Sequence, residues 1–208
     1  MIKVLIADDH PIVRQGLKQI ISDSEDITVT GEAATAQEAL NGVAKTKYDV
    51  VLLDISMPGR SGIEIIKEIR EDSSSPAVLI LTSFPEEQYA VRALKSGASG
   101  YLVKKSAPAE LVTAIRKVST GGKYISGDLA ETLAFNLETG ESKPHEKLSN
   151  REYQVMCLMA SGVTISGVAE KLSLSVKTIS THRSRILDKM GMKSNAELMH
   201  YALKNSLA

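Results

Sequence analysis

A chain of 208 residues, 43% of them apolar and 24% charged, suits one large globular domain or two small ones, and its 25 Lys and Arg balance its 25 Asp and Glu. No uninterrupted apolar run approaches the roughly 20 residues that cross a bilayer, and the N-terminal residues read as a strand rather than a leader peptide. With Cys157 as the only cysteine, a disulfide-stapled fold is excluded; a cytoplasmic location and a reduced Cys157 packed on a helix are expected.

In chain order, short β-branched runs alternate with helix-period segments up to residue 119. The predicted strands are 2–7, 27–32, 49–53, 77–81 and 100–103, and the predicted helices 12–22, 36–45, 62–71, 86–96 and 108–119. That alternation implies a parallel sheet covered by helices on both faces. Thr35 with Glu38, and Ser61 with Glu64, stand at capping-box spacing at two helix starts. Gly121-Gly122 closes the last helix of this region, and residues 121–147 read as a linker with a short helix near 127–137 and a polar stretch from 138 to 146.

From Leu148 the pattern is all helical, with helices expected at 150–161, 165–172, 176–190 and 195–205. Ser149 with Glu152 and Ser194 with Glu197 repeat the capping box, and Ser175 reads as an N-cap. The chain thus divides into domains 1–120 and 148–208 about the linker. Residues 147–208 hold nine Lys and Arg against four Asp and Glu, so the halves carry +5 against −5 within a total of zero. A basic excess on the small C-terminal piece is consistent with a phosphate-backbone partner.

The chemistry lies at strand ends. Asp8 and Asp9 follow the first predicted strand, Asp54 the third, Thr82 the fourth and Lys104 the fifth. Parallel strands carry their C-terminal ends to one edge, where doubly wound proteins bind ligands. Clustered carboxylates suit a divalent cation with hard oxygen preference, and a hydroxyl and an ammonium beside them suit a phosphoryl group, with Asp54 as nucleophile. Singly, each residue is as well explained by a helix start, a turn or a solvated lysine. Together they describe one site. His10, followed by Pro11, is assigned to the turn into the first helix and not to the metal, because Mg2+ prefers oxygen to imidazole.

Asp8-Asp9, Asp54-Ile55-Ser56-Met57-Pro58-Gly59, Thr82-Ser83 and Tyr101-Leu102-Val103-Lys104, in this order, closely resemble the receiver domain of bacterial two-component response regulators. The resemblance implies a flavodoxin-like sheet of order 2-1-3-4-5 and phosphorylation of Asp54 by a sensor histidine kinase. It implies Mg2+, with Mn2+ as an alternative, bound by Asp9, Asp54 and the Ser56 main-chain carbonyl with Asp8 close by. By the same similarity Thr82 and Lys104 contact the phosphoryl group, while Thr82 and Tyr101 act as the switch.

In the C-terminal region, two helices joined by a tight turn, the second with a polar and basic face, describe a helix-turn-helix. Ala169, Leu172, Leu174, Ile179, Ile186 and Leu187 are the expected buried face. Leu148-Ser149-Asn150-Arg151-Glu152, Val168-Ala169-Glu170-Lys171-Leu172, Ser175 to Arg183 and Leu187-Asp188-Lys189-Met190-Gly191 resemble the LuxR-type DNA-binding domain, and the whole chain resembles the NarL/FixJ-type response regulators. What this implies is a homodimer on double-stranded promoter DNA, with RNA polymerase as a further partner. Lys177 and Thr178 are then phosphate contacts, and Ser180, Thr181 and Ser184 face base edges. Arg183, Arg185 and Lys189 complete the DNA-binding set, and Ala196, Leu198, Met199 and Ala202 are the expected dimer surface.

Two rivals are weighed against this regulator. A Mg2+-dependent aspartyl-nucleophile phosphatase typically carries a second acid two residues after its nucleophile, where Ser56 stands here. A phosphorylated module whose C-terminal helices bind protein or RNA would share the first domain and lack salt-sensitive binding to duplex DNA.

Overall fold

The computed structural model describes residues 1–71, 75–106, 108–139, 143–205 and 207. They form two compact units, Met1–Thr132 and Leu133–Ala208. Residues 140–142 of the predicted linker lie outside the described residues.

In the first unit the strands β1 (Ile2–Ala7), β2 (Ile27–Ala33), β3 (Val50–Leu53), β4 (Ala77–Thr82) and β5 (Gly100–Val103) make one parallel sheet of order β2-β1-β3-β4-β5. Helices α1 (Pro11–Ser22), α2 (Ala36–Lys45), α3 (Gly62–Ile69), α4 (Glu86–Lys95) and α5 (Pro108–Ser119) alternate with the strands. Alternation along each strand supplies two apolar faces. Val4, Ile6, Val50, Leu52, Leu79, Leu81 and Leu102 form one core with Leu17 and Ile21 of α1 and Leu111 and Ile115 of α5. The opposite face is equally dry, because Leu5, Val51, Val78 and Ile80 are all at most 1% exposed. All four residues of β3 and all six of β4 are buried, as expected for central strands covered on both sides.

Sheet register decides where the chemistry falls. Ala7 pairs with Leu53, Leu53 with Ile80, and Thr82 with Val103, so β1 and β3 end together while β4 and β5 end together two residues further on, at the same edge of the sheet.

Helix starts show which capping signals act. Thr35 and Ser194 accept from the N–H of Glu38 and Glu197, but those glutamates return their bonds to Ala34 and Lys193, one residue before the cap. The Ser61 and Glu64 capping box expected from spacing does not form. Ser61 is buried, and its hydroxyl donates to the Ile55 carbonyl at 3.1 Å, the acceptor its burial makes available.

The helix α6 (Gly127–Thr139) and a short 3-10 helix, Pro144–Lys147, precede the C-terminal bundle of α7 (Asn150–Ala160), α8 (Ile165–Lys171), α9 (Val176–Met190) and α10 (Asn195–Lys204). Ser149 and Glu152 complete a reciprocal capping box at α7. Val155, Met156, Val168, Ile179, Ile186, Leu198 and Ala202 are fully buried at its centre, and Cys157 is buried with them. Leu174 and Leu187, expected inside, are only partly covered. The α8–α9 turn is tight, with Leu174 N–H donating to the Ala169 carbonyl at 2.9 Å and Ser173 at φ 52.

Candidate functional site

Main-chain hydrogen bonds continue past the strand ends and set the pocket floor. Asp8 N–H donates to the Ala33 carbonyl at 3.0 Å, Asp54 N–H to Ala7 at 2.9 Å, and Lys104 N–H to Thr82 at 2.8 Å. On the far side, Gly62 brings the β3–α3 loop against Asp54 so closely that a Cβ on it would stand 2.0 Å from the Asp54 carbonyl oxygen. No other residue type fits there.

The side chains converge as the sequence leads one to expect. Lys104 Nζ lies 2.7 Å from Asp54 Oδ2 and 2.6 Å from Asp8 Oδ2, a cation shared by two carboxylates that are each nearly closed to solvent. Ligand atoms of Asp8, Asp9, His10 and Asp54 all lie within 4.8 Å of one another. Asp9 Oδ1 is buried and accepts no hydrogen bond, with His10 Nδ1 as its ion-pair neighbour at 2.7 Å. His10 therefore stands in the turn before α1, as expected, with its ring against the acidic pair that it follows in sequence. Ser56 is exposed, and its N–H reaches Asp54 Oδ1 only at 3.4 Å.

Electrostatics follow from this packing. Burial pushes the Asp54 carboxyl above its ordinary range and Asp8 adds to the rise; Lys104 pulls in the opposite direction, and the Thr82 hydroxyl does so slightly, short of a formed hydrogen bond. Burial would lower the Lys104 ammonium, but Asp54 and Asp8 outweigh it and hold the group above its usual value. Three hard carboxylates, one with a buried oxygen that accepts no hydrogen bond and has only His10 as an ion-pair neighbour, are a donor set that fits Mg2+.

Two further residues border the site. Thr82 Oγ1 is fully buried with no hydrogen-bond partner. Tyr101 is buried, its hydroxyl donating to the Phe84 carbonyl at 3.0 Å, and burial raises its phenol strongly. Sequence reading missed Arg14, whose Nη1 donates to the Asp8 carbonyl at 2.7 Å while Nε reaches Glu32 at 3.2 Å. Only its place one turn into α1 hinted at such a brace.

On α9, Lys177, Ser180, Thr181, Ser184 and Arg185 are exposed, and Thr178 is half-buried beside Ser175. Ser180 and Thr181 donate their hydroxyls to the carbonyls of Val176 and Lys177, one turn back. Two predicted contacts have intramolecular partners instead: Lys189 Nζ lies 2.6 Å from Glu152 Oε2, and Arg183 Nε donates to Asn195 Oδ1 at 2.7 Å. Val176, which the sequence reading passed over, is 50% exposed at the start of this helix. The predicted dimer surface needs correcting. Leu198 and Ala202 are fully buried in the domain core, because α10 turns that stripe inward; Met199 and Leu203 are the exposed apolar side chains, with Ala196 on the surface beside them.

Comparison with known proteins agrees with both halves. The response regulator receiver domain matches residues 4–116, and the LuxR family of bacterial regulatory proteins matches residues 146–202. The chain belongs to the NarL/FixJ family of response regulators. Within it, the response regulator UvrY of Escherichia coli is 36% identical over 209 residues, covering 100% of this chain and 96% of UvrY. The oxygen regulatory protein NreC of Staphylococcus epidermidis is 40% identical over 214 residues, covering 99% of this chain and 98% of its own. Among solved structures, RcsB from Salmonella enterica serovar Typhimurium, bound to promoter rprA in the presence of the phosphomimetic BeF3−, aligns with a TM-score of 0.65 at 28% identity, over 96% of this chain and 97% of RcsB. This regulator thus joins a receiver to a LuxR-type DNA-binding domain, and among the described residues no helix is long and apolar enough to cross a membrane.

Proposed function

We propose that this response regulator is a cytoplasmic transcription factor that accepts a phosphoryl group on Asp54 from a sensor histidine kinase and thereby controls its binding to promoter DNA. The observation that carries the reading is the Lys104 ammonium held between Asp54 and Asp8, beside a fully buried Thr82 hydroxyl without a partner. An anion joined to Asp54 meets both groups at once. In the transfer, an Asp54 carboxylate oxygen forms the new P–O bond as the P–N bond to the kinase histidine breaks, and the imidazole keeps the electron pair. Asp9, Asp54 and the Ser56 carbonyl, with Asp8 alongside, would hold Mg2+ or Mn2+, which when bound neutralises charge on the phosphoryl oxygens. Lys104 stabilises the product electrostatically, and the Thr82 hydroxyl donates to a phosphoryl oxygen. Tyr101, buried with its hydroxyl on the Phe84 carbonyl, changes rotamer as the second switch residue.

The phosphatase rival finds no support, since the position two residues after Asp54 presents an exposed Ser56 hydroxyl and no acid. For the output domain, Lys177, Thr178, Ser180, Thr181, Ser184 and Arg185 form the DNA face, with Val176 suited to a thymine methyl. Residues 121–147 connect the two domains. A homodimer surface moves to Ala196, Met199 and Leu203, and RNA polymerase is the natural next contact at the promoter. The RcsB structure on promoter DNA, and another described as two RcsB dimers bound to two parallel DNAs, support this arrangement by similarity.

The test is Asp54→Ala with a small acyl-phosphate donor and Mg2+. Intact mass should show a phosphoryl group on the wild type and none on the variant, and the donor should change promoter affinity only in the wild type. Phosphate on the variant with an undiminished DNA response refutes the assignment.

A further inference from the structure

The open edge of β5 is an interaction surface, and the segment after α5 occupies it. Tyr124 lies alongside Gly100 as a parallel bridge, Tyr101 N–H donates to the Tyr124 carbonyl at 3.0 Å, and Tyr124 N–H donates to the Ser99 carbonyl at 3.0 Å. Lys123 Nζ reaches the Ala98 carbonyl at 2.8 Å. Gly100 makes the approach feasible, because a Cβ there would stand 2.7 Å from the Tyr124 carbonyl oxygen.

Ser126 then fastens the segment at a second point. Its hydroxyl donates to the carboxylate of Glu86, the first residue of α4, and accepts from Leu129 N–H at 3.1 Å, capping α6. Leu129 is buried behind it. Tyr101 touches both sides of this fastening. Its hydroxyl holds the Phe84 and Pro85 carbonyls immediately before Glu86, and its N–H holds Tyr124 two residues before Ser126. Thr82, Ser83, Phe84, Pro85 and Glu86 are continuous in the chain, so displacement of Thr82 moves the loop that carries Glu86.

We propose that residues 123–129 form a strap on the β5–α4 edge whose Ser126–Glu86 latch senses the Thr82 and Tyr101 switch and passes its state to α6. The inference rests on the reading of Asp54 as phosphoacceptor. One bridge with its two main-chain hydrogen bonds, the Lys123–Ala98 contact and one hydroxyl–carboxylate contact are a small fastening compared with a full strand, so the strap opens locally at low free energy while the sheet stays intact. Acylation of Asp54 draws Thr82 toward the phosphoryl group, residues 83–86 follow it, and Glu86 shifts away from Ser126.

Amide hydrogen exchange on the full chain, with and without Mg2+ and beryllofluoride as the acyl-phosphate mimic, tests this. In the wild type the mimic should speed exchange at Tyr124 and Leu129. Ser126→Ala should show that faster exchange without the mimic, by roughly two- to tenfold, the worth of one net hydrogen bond. Glu86→Ala should match it, whereas Glu86→Gln, which keeps an acceptor, should stay near the wild type. All three should take phosphate from the acyl-phosphate donor at the wild-type rate. The strap is refuted if α4 amides respond to the mimic while Tyr124 and Leu129 do not, or if Ser126→Ala exchanges there like the wild type. A mimic that moves no amide anywhere, together with no phosphate on Asp54, overturns the phosphoacceptor reading itself.

Discussion

Thr82→Val should stabilise the receiver while disabling it. The Thr82 hydroxyl is fully buried, has no hydrogen-bond partner and interacts only slightly with Asp54. A buried hydroxyl left unsatisfied costs about 1–3 kcal/mol, and valine replaces it with a methyl of similar shape that gains from burial. The slight interaction with Asp54 offsets part of that gain, so the expected stabilisation is about 1–2 kcal/mol, equivalent to roughly five- to thirtyfold slower global opening. Because the chain has two compact units, a single unfolding midpoint does not isolate the receiver. Amides at the centre of β4, Leu79 and Ile80, sit in the driest part of the sheet and report its global opening by hydrogen exchange. Valine should slow exchange at both positions and abolish the response of DNA binding to an acyl-phosphate donor. Faster exchange in the valine variant refutes the reasoning, for the hydroxyl would then have a stabilising partner in the resting protein.

Other substitutions probe other parts. Because burial raises the folded Asp54 carboxyl above its ordinary 3.8, its contribution to stability is full below pH 3.8 and is lost as pH rises through the folded value; Asp54→Asn should therefore be more stable than wild type at neutral pH, with the gap closing toward pH 3.8 in urea titrations. Lys189→Met should cost the C-terminal unit about 1 kcal/mol, allowing for solvent around a lysine that is 40% exposed, and leave the salt dependence of DNA binding nearly unchanged. Lys177→Met should do the reverse, lowering the log–log salt slope by about one without loss of stability; identical slopes for the two variants would contradict the assignment. Leu198→Ala should destabilise the same unit by about 2–5 kcal/mol in urea titration, whereas Met199→Ala should change stability by less than about 0.5 kcal/mol and be felt in dimer formation.

The fold was legible because its strands announce their own ends. Val50 to Leu53 and Val78 to Leu81 are unbroken apolar runs that stop at a polar residue, and parallel register then carries those polar residues to one edge. Caps were legible where solvent lets a serine or threonine turn to the helix, as at Thr35, Ser149, Ser175 and Ser194. Ser61 has the same spacing and behaves differently because it is buried, which no local pattern records. On α10, period alone shows an apolar side without saying how much of it faces inward, so Leu198 and Met199 looked equivalent. Least legible were bonds between residues distant in the chain. Lys189 and Glu152, Arg14 and Glu32, and Tyr101 and Tyr124 meet only after the helices and strands have packed.

Lys104 carries a last consequence. By standing between Asp8 and Asp54 it gives the resting receiver a tethered counter-ion of its own, always present at a fixed dose. The fold therefore does not wait on dissolved cations to quiet its acidic mouth, and chelation should silence signalling while leaving the protein intact and ready to resume. Supply of the ion and survival of the domain become separate matters.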